Sequence, residues 1–272
     1  MARRGTAPGL DERRRRTLTI AAHLSEFRRR MMWAALGVIL GAVAGWFLAD
    51  PVWAGLRIPL EATSAGQGRE AAINFTTLMS AFDTKLQIAL VVGVVASCPL
   101  WLYQVLAFLV PGLTRRESRY VLGFLLPAIP LFLSGCAMGW LVVPHIVEIM
   151  VGFAVPGSTT FLSAREYLDF VLKLMLATGV AFVLPLLLVV LNAAGVVSGR
   201  AILKAWRWAV LAITIFTALA TPAADILAML VLAVPMVALY FAAVGIALLH
   251  DRRAARGPEL ASRTESEPIG SA

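Results

Sequence analysis

The sequence predicts an all-α membrane protein with six transmembrane helices and both termini in the cytoplasm. Three observations carry that expectation. Hydrophobic residues make up 60% of the 272 residues, and the mean hydropathy is +0.82. Several stretches run for about 18 residues or more with few or no charges, the length that a bilayer core demands of a helix. With both termini inside, all of the 24 Lys and Arg except Arg57, Arg69, Lys85, Arg165 and Lys173 fall on the cytoplasmic face, the bias that orients spans. Acidic residues divide evenly between the faces and weigh little in that rule.

Taken in order, residues 1–20 are Arg-rich, punctuated by Gly and Pro and poor in apolar side chains, a composition that predicts a disordered basic tail. The amphipathic turn HLSEFRRR at 23–30 leads into a first span at 31–48. Residues 50–84 read as a polar connection ending in a short interfacial helix near 76–82, and the second span follows at 86–110 with Pro99 inside it. A charged connector holding Arg115, Arg116, Glu117 and Arg119 separates it from the third span, 120–143. Pro127 and Pro130 remove two backbone donors there, and a kink is expected. A loop at 144–167 with the turn signal Pro156-Gly157 precedes span four, 167–190, with Pro185. After a short loop, span five at 206–219 is about 14 residues long, or roughly 21 Å, against a core of about 30 Å. Span six covers 226–249, and 251–272 reads as a second disordered tail.

Composition also excludes several classes. The two cysteines, Cys98 and Cys136, lie in apolar runs, which leaves neither a disulfide framework nor a four-cysteine metal site. The net charge of +8 is accounted for by orientation, without nucleic acid. No cleavage pattern of a signal peptide follows the first apolar run. Zincin, serine-hydrolase, nucleotide-loop and CxxC motifs are absent, so neither an enzyme nor a cofactor is expected. The histidines, His23, His145 and His250, stand at span ends, and Ser97 and Ser134 are of the kind that bond their own helix backbone.

Three acidic residues invite a functional reading. Glu26 and Glu117 are cytoplasmic carboxylates flanked by arginines. Each either pairs with its neighbours, at about 0–1 kcal/mol, or accepts a guanidinium through two parallel hydrogen bonds. Asp225 follows the turn Thr221-Pro222-Ala223-Ala224. It either caps the sixth helix or serves as a functional charge drawn below the headgroups. An ion-coupled secondary transporter using Asp225 is the alternative of a different class. It predicts an internal repeat with paired broken helices, and spans one to three do not repeat in four to six.

With these residues in view, the chain over about 22–250 resembles the TatC family, the polytopic subunit of the twin-arginine protein translocase. The resemblance rests on HLSEFRRR at 23–30, FTTLMSAFDTKLQIAL at 75–90, YQVLAFLVPGLTRRESR at 103–119, GVAFVLP at 179–185 and TPAADI at 221–226, in that order. It implies a concave, cup-like bundle in the plasma membrane that binds twin-arginine signal peptides of folded cargo for export driven by the proton-motive force. Implied partners are TatA-like and TatB-like single-span subunits and membrane lipids, with homo-oligomers inside a hetero-complex. Carried over residue by residue, Glu117, Phe108 and Glu26 bind the signal, with Arg28, Tyr103 and Gln104 from the same motifs. Asp225, Pro111, Gly112 and Pro222 become polar or structural positions of the membrane domain. The chain departs from the family pattern at Val183 and Phe241, where glutamates are common, and at Leu78 and Ser80 in the cap segment. The roles that the family gives those carboxylates have no residue here to carry them.

Overall fold

A computed structural model describes the backbone of residues 8–67, 73–74, 78–109, 118–152, 162–221 and 226–265, and side chains within 24–58, 79–108, 123–149, 165–221 and 226–253. Helix dominates, as a hydrocarbon solvent requires: each backbone N–H and C=O must find its partner inside its own segment. The helices are α1 (Pro8–Gln67), α2 (Leu78–Ala96), α3 (Cys98–Leu109), α4 (Ser118–Gly152), α5 (Ala164–Ala193), α6 (Gly199–Lys204), α7 (Trp206–Ala220) and α8 (Ile226–Glu265). Two short strands, β1 (Ile73–Asn74) and β2 (Leu162–Ser163), pair in parallel, Ile73 with Leu162 and Asn74 with Ser163. Among the described residues, five helical stretches are long and apolar enough to cross a membrane: Leu24–Ile58, Met79–Ala96, Gly123–Ile149, Arg165–Ala193 and Ile226–Arg253. Cys98–Phe108 and Trp206–Ala220 are shorter apolar helices.

Several sequence expectations are corrected. The span expected at 31–48 lies within a longer apolar helical stretch, Leu24–Ile58, and α1 continues to Gln67 through residues read as a polar connection. Asp50 looks like a loop residue in isolation, yet its carboxylate accepts from Lys85 Nζ at 2.9 Å. Arg57 lies over the Trp53 ring at 5.8 Å. Helix backbone likewise covers 8–20 and 251–265, inside the stretches that composition reads as tails. The third span runs on to Ile149 within a helix that ends at Gly152, and β2 occupies part of the expected 144–167 loop. Despite Pro127, Pro130 and Pro144, α4 remains one helix.

The stretch expected as the second span, 86–110, holds two helices, α2 and α3, broken at Ser97. Pro99 brings no N–H and its ring crowds the carbonyl four residues back, so the ladder resets. Ser97 N donates to Gly93 O at 2.9 Å, and Leu100 N and Trp101 N donate to Ser97 O at 2.9 and 3.2 Å. The Val94 carbonyl accepts instead from the Trp101 indole Nε1 at 2.9 Å. A side chain thus reaches back across the break.

Helix pairs meet along small residues. A Cβ added at Gly41 would lie 2.7 Å from Gly93 O, and one at Gly93 would lie 2.5 Å from Ala42 N, so α1 and α2 touch backbone to backbone. In α4, a Cβ at Gly135 would lie 2.6 Å from Thr178 O of α5. Lipid offers no hydrophobic drive between helices, and such close approach supplies dispersion contact in its place. Among the four apolar clusters of the described residues, the two largest fill much of the space between helices. One joins Leu56, Ile88, Val143, Ile146, Leu168 and Leu232, drawn from α1, α2, α4, α5 and α8. The other joins Leu102 and Leu106 of α3 to Phe132 of α4 and Val183 of α5, with the Trp101 and Phe132 rings edge to face at 5.2 Å.

Polar ties close both ends of the bundle. At one, Arg165 donates to Asp83 at 3.0 Å, and Gln87 Nε2 donates to Asp169 Oδ1 at 2.9 Å, joining α2 to α5. At the other, Asp251 accepts from Gly199 N at 2.7 Å and Asn192 Nδ2 at 2.8 Å. That carboxylate binds the α5–α6 connection to α8. Gly195, at φ +73°, supplies the left-handed turn in this connection. The seam between α1 and α2 yields a direct test. Gly93→Val is expected to cost about 1–3 kcal/mol or more by overpacking and to lower the melting temperature in detergent. Gly55→Ala, which adds a methyl with nothing within 4 Å inside a helix, should not lower it.

Candidate functional site

The cytoplasmic residues expected to act together come from two helices. HLSEFRRR lies within α1, whose spacing places Glu26 and Arg30 one turn apart. Arg30 donates from Nε at 3.1 Å and from Nη2 at 2.7 Å to the same Glu26 oxygen. The pair is half-exposed, and such contacts contribute about 0–1 kcal/mol. It therefore holds Glu26 in place at little cost to an exchange of partners. Arg28 is exposed on the same helix.

Helix α3 carries Tyr103, Gln104 and Phe108 toward its C-terminal end, with Gln104 and Phe108 one turn apart on one face. Leu102 and Leu106 bury the opposite side. Tyr103 remains 38% exposed and Phe27 39% exposed. The rings of Phe27 and Phe108 meet with centroids 5.1 Å apart and planes at 57°, a tilted contact of the kind that contributes about 0.5–1.5 kcal/mol beyond burial. The N-terminal motif and the end of the second span thus share one surface. Its apolar floor is Phe27 and Phe108, and the Glu26–Arg30 pair sits on α1 at its edge.

The remaining expected residues, Glu117, Pro111, Gly112, Pro222 and Asp225, lie outside the described residues. Val183, where the family pattern has glutamate, is buried against α3 and α4, and Phe241 stacks edge-on against Tyr240 at 5.6 Å. Val183 is filled in by apolar packing, whereas Phe241 is exposed. Sequence reasoning took Phe27 only as part of a motif and missed its ring contact. The i, i+4 spacing of Glu26 and Arg30 was the one signal for that pair. No group of three His, Cys, Asp or Glu able to hold a metal is found among the described residues.

Comparison with known proteins places these features. The family model described as Sec-independent protein translocase protein (TatC) matches residues 22–235. The Sec-independent protein translocase protein TatC of Xylanimonas cellulosilytica is 48% identical over 252 residues, covering 93% of this chain and 90% of the relative. That of Rothia mucilaginosa is 35% identical, covering 87% of this chain and 81% of the relative. A crystal structure described as the twin arginine translocase receptor TatC superposes with a TM-score of 0.68 at 26% identity, covering 84% of this chain and 98% of the solved one. A second, in the detergent DDM, gives 0.69 at 27% identity. The chain belongs to the TatC family of Sec-independent protein translocase proteins.

Proposed function

We propose that this chain is the signal-peptide receptor and core subunit of a twin-arginine translocase, exporting folded proteins across the plasma membrane at the expense of the proton-motive force. The observation that carries the reading is the Phe27–Phe108 contact. It joins the N-terminal motif to the end of α3, so one apolar surface lies beside the segment that bears Glu26. A peptide with paired arginines followed by an apolar stretch complements that surface. Glu26 and Glu117 accept the guanidiniums, and Phe108, Tyr103 and Gln104 meet the segment that follows. Arg28 sets the outer edge. The chain performs no covalent chemistry in this role; its work is selective binding and the lateral recruitment of TatA-like and TatB-like single-span subunits.

The architecture that fits this role is a concave bundle of six spans with both termini cytoplasmic. Counting α2 and α3 as one crossing and the short α7 as another turns the five long stretches and two short helices into six. The excess of Lys and Arg on the faces holding both termini supports the orientation.

Two measurements check the proposal. A photo-crosslinker at position 108 should link a twin-arginine signal peptide in membranes, and the link should vanish with a twin-lysine peptide or with Glu117→Ala. Equal linking by both peptides would defeat the arginine-receptor reading. For topology, Cys98 and Cys136 are buried, so an impermeant maleimide meets a low background. Arg253→Cys should react only after the cells are permeabilised, and Met79→Cys should react in intact cells. The reverse pattern overturns the orientation.

A further inference from the structure

A cleft of about 440 Å³ opens sideways where the short helix α7 ends against the first third of α5. Three charged residues, Glu166, Asp169 and Lys173, occupy successive turns of one α5 face and line it. Phe170 and Leu174 of α5 and Leu219 of α7 supply apolar wall, and Leu219 is 82% exposed. The cleft exists because α7 has only 15 residues, about 22 Å of helix, and so stops short of the bilayer thickness beside a longer neighbour. A charged face of α5 is thereby left uncovered toward the lipid.

The charges are not equally committed. Asp169 accepts from both Lys173 and Gln87. Lys173 bends back one turn to reach Asp169, toward the start of α5, and keeps two of its three N–H donors beyond that bond. Glu166 is exposed and makes no ion pair among the described residues. An uncommitted carboxylate therefore stands about one helical turn from a partly committed ammonium, with apolar wall running on from both.

We propose that this cleft seats a phospholipid with a primary-amine headgroup, its phosphate on Lys173, its ammonium on Glu166 and the start of an acyl chain along Phe170, Leu174 and Leu219. A headgroup bearing both charges matches both residues. A purely anionic headgroup would meet Lys173 but face the carboxylates of Glu166 and Asp169 without a cation to offer them. Size favours a lipid over a helix: 440 Å³ lies within the range of small-ligand sites and holds only about one turn of a helix 10–12 Å across. The inference is independent of the signal-peptide reading and needs only that α5 and α7 lie in a bilayer.

The experiment uses the full chain with its single-span partner subunits in lipid nanodiscs that carry a photoactivatable phosphatidylethanolamine or phosphatidylglycerol. Labelled residues are mapped by peptide mass spectrometry. The amine lipid is expected to label the α5 segment 165–177 and Leu219 about threefold more than the glycerol lipid, in line with an exposed charge pair. Glu166→Gln should remove that preference while leaving the melting temperature unchanged. Equal labelling by the two lipids overturns the proposal, as does a preference that survives Glu166→Gln. Labelling of the chain alone that disappears when the partner subunits are present also overturns it, since the cleft then belongs to a protein helix. The comparison of the two lipids on the unsubstituted chain decides the matter whatever the substitution does to folding.

Discussion

The contact of backbone with backbone at glycine is the interaction on which the rest of this bundle depends. In water, burial of apolar side chains would draw these helices together; in hydrocarbon that drive is absent. What remains is closeness, and Gly41 against Gly93 and Gly135 against Thr178 provide it. Once α1 and α2 lie in contact, Asp50 can reach Lys85, and once α4 and α5 are joined, Phe132 and Val183 share a cluster with α3. The Phe27–Phe108 surface continues the same kind of seam, because α1 also meets α3 directly where Gly37 faces Leu100.

Inside the bundle, polarity is handled locally. Thr178, Thr214 and Thr217 return their hydroxyl protons to carbonyls three or four residues back in their own helices. Trp101 does the same service across the break at Ser97. Charges are confined to the two ends and to the α5 face that α7 leaves open. The described residues therefore present two polar regions of different character, one beside the Phe27 and Phe108 rings and another stitched by ion pairs between helices.

How much of this the sequence shows follows from what hydropathy measures. The apolar stretches read at 167–190 and 206–219 lie in helices Ala164–Ala193 and Trp206–Ala220, since each is flanked by clear changes in polarity. The extent of α1 was not legible, because Asp50 signals a loop until Lys85, 35 residues away, is known to answer it. The break between α2 and α3 was foreshadowed by Pro99, but Ser97 as its place depends on which carbonyl Trp101 reaches. The β1–β2 pairing rests on two residues in each strand, too short for any alternation to register. At the candidate site, Glu26 stood out as a carboxylate among arginines and Phe108 through family resemblance, whereas the approach of Phe27 to Phe108 comes from tertiary packing alone.

Asp251 has one further implication. Its two bonds, to Asn192 and to the Gly199 amide, hold the α5–α6 connection from a point late in α8. Shortening the polypeptide from its C-terminal side would leave both bonds standing down to residue 251 and sever both with the next residue removed. Tail length in this protein is thus a variable with a step in it, with a tethered connection on one side of residue 251 and an untethered one on the other.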